Sequence, residues 1–532
     1  MRTGPTGLGG ALLPMMRNKI VSAASAAELV RDGCVVGVTG GGGGLVEPDT
    51  LLEAIERRFL DTGSPRNLTL VHALGLGDRD RKGVNRFAHE GMVRRVIGGH
   101  WVWSPAMQRL ARLDKIEAYV LPAGVIVHLM REIGAGRPGL VTHVGLGTFV
   151  DPRIEGGRMN RRASENLSEV LELDGRTLLR YKPFPVGAAC IRGSFADADG
   201  NLSLDEEGAT LDALSLALAA RNTGGVVLAQ VRKQVGRGAL PARSVVVPGA
   251  LVDAIVVDPS QPQSYGPPRD PALSGSLPPA SESRQAEALG PLDLRQVIAR
   301  RAARELRPGD VLNYGFGLPD LVARLVASLG QADDYCQTIE HGTFGGALLG
   351  GALFGFARNP SAMIDSPSQF DFYSGGGLDV AFLGMGEVDR AGNVNVSKLG
   401  GVPVGPGGFI DIAQNCKRVV FCGTFEAKGA RIVAGGGRLR VERHGRIRKF
   451  VRQVAQITFS GSEALRTGQE VLYVTERAVF RLGRRGLALE EVAPGVDLRR
   501  DVLDRMDFAP LVLERPQLVA TDIFAEQEGG RA

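Results

Sequence analysis

Apolar runs alternate with amphipathic stretches along this chain in one recurring order: a helical pattern, a short buried strand, a glycine-rich turn and a further helix. Ser22 to Val30 is Ala-rich with helical spacing, and Cys34 to Val38 reads as a strand. Gly40 to Gly44 follows, and Pro48 opens an amphipathic helix to about Leu60. Near residue 291 the order returns, with helical Leu294 to Leu306, strand Asp310 to Tyr314, the loop Gly315-Phe316-Gly317-Leu318, and Pro319 opening another helix.

Local matches keep this register. Arg31-Asp32-Gly33-Cys34-Val35 corresponds to Arg307-Pro308-Gly309-Asp310-Val311, and Ile191-Arg192-Gly193 through Asp197 to Gly200-Asn201 corresponds to Phe382-Leu383-Gly384 through Asp389 to Gly392-Asn393. In both, an Asp three residues before Gly-Asn signals a turn between strands. The pattern predicts an α/β protein of two related open halves, 17–258 and 291–528, with mostly parallel sheets covered by helices and ligands at the carboxyl ends of strands. Between them, 259–290 is rich in Pro, Ser, Gln and Ala and reads as an exposed linker.

Composition narrows the class. The 73 glycines among 532 residues are close to twice the usual share of about 7% and carry no collagen-like period, so they read as many tight turns. A net charge of +5 with scattered Lys and Arg argues against a nucleic-acid binder. No apolar run approaches the roughly 18 to 20 residues that span a bilayer, and Met1 to Leu13 carries no h-region, Met15 or Met16 being alternative starts. Cys34, Cys190, Cys336, Cys416 and Cys422 show no metal-ligand spacing and fit reduced thiols of a cytoplasmic protein. His72, His89, His100, His128 and His143 are too dispersed for a metal site and read as packed or surface residues.

One stretch stands out chemically, Thr338-Ile339-Glu340-His341-Gly342-Thr343-Phe344-Gly345-Gly346, a single acid among glycines. It reads as the end of a buried strand turning into a helix. Glu340 either faces a gap that the glycines leave open to a ligand or caps that helix. His341, adjacent on a strand, would point to the opposite face. Gly40 to Gly44 resembles a dinucleotide-binding turn only loosely, without an acidic residue at the expected distance of about 20. Trp101 and Trp103 share a face if His100 to Trp103 is a strand, and read as core.

Together, Thr338-Ile339-Glu340-His341-Gly342, Asn313-Tyr314-Gly315-Phe316-Gly317-Leu318-Pro319, the run Gln369 to Asp379 and Gly405-Pro406-Gly407-Gly408-Phe409-Ile410-Asp411 resemble a class I coenzyme A transferase, most closely the single-chain propionate or acetate CoA-transferases. The similarity covers roughly 17–525. The resemblance implies that Glu340 carries acyl and CoA groups covalently, that the site lies between the halves, and that Gly407 and Gly408 present backbone N–H groups near the thioester oxygen. It further implies substrate-binding roles for Asn313, Gly315 and Gly317, acyl-CoA and small carboxylates as partners, coenzyme A as substrate with no cofactor or metal, and a homo-oligomer. Where relatives often carry Pro-Gln-Gly, this chain has Pro122-Ala123-Gly124, so either backbone N–H groups or another residue serve as oxyanion donor or activity is lower. A glutamate of ordinary pKa is ionised at pH 7 and attacks a thioester without a base. A CoA-thioester hydrolase on the same scaffold and a non-catalytic CoA or metabolite sensor are the alternatives.

Overall fold

The computed structural model describes residues 19–277 and 289–526. The readings of Met1 to Leu13 and of the start at Met15 or Met16 lie outside these residues, as do 278–288 of the linker. Two sheets dominate. In the first, Ala254–Val257, Val226–Gln234, Ala188–Ala196, Val35–Val38, Leu68–His72, Val93–Gly98 and Glu117–Tyr119 lie side by side, each parallel to the next. In the second, Glu470–Val474, Arg418–Cys422, Val380–Gly384, Val311–Tyr314 and Cys336–Ile339 repeat the first five positions in the same order and sense. Leu68–His72 and Arg418–Cys422 are buried at every residue, as expected of parallel strands covered on both faces.

The internal repeat extends to atomic detail. Asp197 accepts hydrogen bonds from the N–H groups of Asp199 (2.9 Å) and Asn201 (3.0 Å), and Asp389 does the same from Ala391 (3.0 Å) and Asn393 (3.1 Å). Each following Asn turns its side-chain oxygen to a distant backbone N–H, Asn201 to Gly249 at 2.8 Å and Asn393 to Gly461 at 3.0 Å. Helix starts follow the same local chemistry: Ser22, Asp293 and Asp365 accept from the N–H three residues on. Pro48 and Pro319 stand at the boundaries of helices Asp49–Thr62 and Asp320–Ser328.

Three local expectations are corrected. No helix follows Glu340: the chain turns back at once, and Thr343–Phe344 pairs antiparallel with Cys336–Ile339. Gly342 at φ +107° makes this reversal possible, and with no helix there Glu340 caps nothing. His100 to Trp103 is a loop, so its tryptophans share no face: Trp101 is fully buried, with Nε1–H donating to Gly98 O, while Trp103 is not. The first part of the supposed exposed linker is packed, with Gln261, Gln263 and Ser264 buried and the Tyr265 hydroxyl donating to Glu47 at 2.9 Å. Pro- and Ser-rich composition without periodicity gave no sign of these side-chain anchors.

The halves share one apolar core that runs from Ala26 to Met506. Helix Ala123–Gly134 of the first half, buried over most of its length, packs against Ser366–Ser374 and Phe409–Asn415 of the second. Beyond its parallel strands the second sheet continues in antiparallel order through Ala478–Gly483 and Gly486–Val492.

Because Asp197 and Asp389 are themselves buried and each accepts from several partly buried donors, Asp197→Ala and Asp389→Ala are expected to destabilise the protein by about 1–3 kcal/mol each. Shifts in the urea midpoint measure this, and losses of similar size would reflect the equivalence of the two turns.

Candidate active site

Glu340 stands just past the carboxyl end of Cys336–Ile339, and its side chain enters a cavity of about 280 Å³ between the halves. Gly42, Leu74, Gly75, Arg79, His100, Val102 and Trp103 form the first-half wall. From the second half come Asn313, Gly315, Phe316, His341, Phe354 and Gly407, among others.

A glycine loop meets the carboxylate from the other side. A Cβ on residue 408 would collide with Glu340 Oε2, and the Gly408 N–H faces the carboxylate as a hydrogen-bond donor. The Gly407 N–H, by contrast, donates to Gly99 O at 2.8 Å and is spoken for. The loop is held by the first half: Ala123 N–H donates to Gly407 O at 2.9 Å, and Gly124 N–H to Asp411 Oδ2 at 3.1 Å. Pro122 offers no side-chain cap to helix Ala123–Gly134, so Asp411 of the other half caps it. Ala123 is fully buried and its N–H is used in this docking, which removes it as an oxyanion donor.

Behind Glu340 lies a polar shelf. Asn313 Nδ2–H donates to Thr338 O at 3.2 Å and to the Tyr373 hydroxyl at 3.3 Å, and that hydroxyl lies 2.8 Å from Thr338 Oγ1. Asn313 Oδ1 is buried and has no hydrogen-bond partner among the described residues, an acceptor at the cavity wall. Gly315 lines the cavity with its N–H bonded to Phe382 O at 2.8 Å, whereas Gly317 does not line it and has nothing within 4 Å of its Cβ position.

Burial dominates the electrostatics of the site. Burial pushes the Glu340 carboxyl up to about 7, opposed by the Gly408 N–H. Among the described residues none forms an ion pair with it. His100 and His341 are pushed down to about 4 by burial, so both are neutral at pH 7. Arg79 is therefore the formal cation of the wall, its guanidinium 4.5 Å from the Trp103 ring centroid. Asp411 is held well above the ordinary carboxylate range by burial, although N–H groups of the helix start face it.

The structure brings Glu340, Asn313, Gly315, Gly407 and Gly408 together and leaves Gly317 outside. His100, Arg79, Trp103 and Asp411 belong to the site and were missed or read as packing. The Gly-Gly-Phe-Ile-Asp run was the available signal for Asp411; nothing local in the sequence marks the other three.

An α/β site with one glutamate that has no ion pair among the described residues, set against a bare glycine loop and built by two repeated halves, agrees with the relationships of the chain. It belongs to the coenzyme A transferase family, whose model, Coenzyme A transferase, matches residues 20–258. The caffeate CoA-transferase of Acetobacterium woodii is 43% identical over 521 residues, covering 96% of this chain and 98% of that one. The acetate CoA-transferase YdiF of Escherichia coli K12 is 41% identical over 515 residues, covering 97% and 96%. The crystal structure of YdiF from E. coli O157:H7 as a thioester complex with CoA superimposes with a TM-score of 0.90, covering 96% of each chain.

A carboxyl group raised from its ordinary 4.5 to about 7 binds its proton more tightly in the folded state, so it favours folding at low pH and penalises it once ionised. Glu340→Gln removes the penalty. Its melting temperature is expected to exceed wild type at pH 8, with the difference shrinking steadily toward pH 5, as followed by thermal unfolding across that range.

Proposed function

We propose that this chain transfers coenzyme A between short-chain acyl-CoA donors and carboxylic acid acceptors of the acetate and propionate kind, by a ping-pong route through Glu340. The observation that carries this reading is the Glu340 carboxyl group, free of any ion pair among the described residues, opening into a cavity with the Gly408 N–H beside it. The thioester complex with CoA of the E. coli relative supports it.

In the first step the ionised Glu340 oxygen attacks the thioester carbonyl carbon, the C–S bond breaks and CoA thiolate leaves, giving an acyl-glutamyl anhydride. The thiolate then attacks the Glu340 carbonyl carbon. The anhydride C–O bond breaks, the first carboxylate departs, and a glutamyl-CoA thioester remains. An acceptor carboxylate attacks this thioester, and the two steps run in reverse to yield the new acyl-CoA. Negative charge gathers on a carbonyl oxygen each time, where the Gly408 N–H can receive it; removing one such donor typically costs about 10² to 10³ in rate.

Intact mass after incubation with acetyl-CoA and no acceptor tests the reading: a CoA adduct on Glu340 is expected, and free thiol accumulating without adduct or acyl exchange indicates a hydrolase instead. Glu340→Ala is expected to abolish exchange between acetyl-CoA and propionate. Glu340→Asp should lose on the order of 10²-fold, because withdrawing the nucleophile by about 1 Å costs that much.

The nucleophile must be ionised, so kcat/KM is expected to rise with pH below about 7 and level off above it. A profile already flat from pH 5 upward would contradict the raised carboxyl group.

A further inference from the structure

The run Gly40 to Gly44 has no part in the chemistry above, yet its packing is specific. A Cβ at Gly42 would collide with the indole of Trp103. At Gly75, in the loop after Leu68–His72, a Cβ would lie 2.6 Å from Trp103 Cδ1 and 2.7 Å from His100 Nδ1, and at Gly77 2.6 Å from Trp103 O. Two glycine loops from neighbouring strands thus shape a seat for one ring, and Arg79 stacks on it at 4.5 Å. The indole is fixed in place, with packed backbone behind it.

This ring belongs to the wall that faces Glu340. The Cβ position of Gly407 is 3.8 Å from Glu340 Oε1 and 3.9 Å from His100 Cβ, and His100 in turn meets Trp103 over Gly75. On the other flank, Gly41 brings the wall to His341, its Cβ position 3.5 Å from the Nε2 atom. Leu74 and Val102 add apolar surface beside the indole. Gly42 and Gly75 back the half-buried indole, so a short acyl chain fits against it better than a pantetheine arm, which needs an opening to solvent.

We propose that Trp103 is the specificity-determining residue that limits acyl-chain length, so that the enzyme takes two- to four-carbon acids and excludes longer ones. This rests on the transfer reading above. With acetyl-CoA as donor, wild-type kcat/KM is expected to fall at least about tenfold between butyrate and hexanoate, since one or two methylenes against a fixed wall carry discrimination of that order. Trp103→Leu and Trp103→Ala should raise the hexanoate-to-acetate ratio of kcat/KM by at least about tenfold, with Trp103→Phe between them and wild type.

Wild type that accepts hexanoate as readily as acetate overturns the proposal, and this arm requires no variant to fold. An unchanged ratio in the folded variants does so too, as does an equal change in KM for acetyl-CoA and hexanoyl-CoA, which would place the ring along the CoA arm. A wild type that forms no CoA adduct and exchanges no acid overturns the transfer reading itself, a result distinct from adduct formation without chain-length selection.

Discussion

The docking of the Gly405 to Asp411 loop onto the first half is the constraint on which the site depends. Four hydrogen bonds from backbone N–H groups carry it: Gly407 donates to Gly99 O and accepts from Ala123, Trp101 N–H donates to Val404 O at 2.7 Å, and Gly124 N–H reaches the Asp411 side chain. Each satisfies a group that burial would otherwise leave unpaired, at a cost of a few kcal/mol in an apolar setting. Glu340 and Gly408 belong to the same half, but the loop that carries Gly408 is held by the other.

The same interface creates a tension at the carboxyl group proposed as nucleophile. Bringing the halves together removes water from Glu340, which raises its pKa and reduces the ionised fraction at neutral pH. It also places the group near the pKa at which a base or nucleophile is both available and reactive. A cation beside Glu340 would relieve the burial and blunt the attack proposed for it, and the cation of the cavity wall, Arg79, is instead committed to the face of Trp103.

Duplication explains much of the architecture. The five parallel strands that recur in the two sheets put the ends of Leu68–His72 and Cys336–Ile339 at equivalent places. One end was kept as wall, with Leu74 and Gly75, and the other carries the glutamate. The halves therefore face each other across the cavity with equivalent edges and different chemistry.

Local spacing was enough to read the α/β class, the repeat at Asp197 and Asp389, and the singular character of Glu340, because turns, caps and strand burial depend on neighbours within a few residues. The role of Asp411 was only half legible, since its motif was visible while the helix that it caps lies 287 residues away. Trp103 could not be told from core, the glycine run could not be matched to the ring it seats, and the hairpin after Glu340 passed for a helix start. The sequence by itself determined which residues could form strands and turns and which side chain could act. Tertiary structure alone decided where the second half rests on the first, and with it the burial that moves the glutamate to neutral pH and the wall that faces it, because both are made by contacts between segments far apart in the chain.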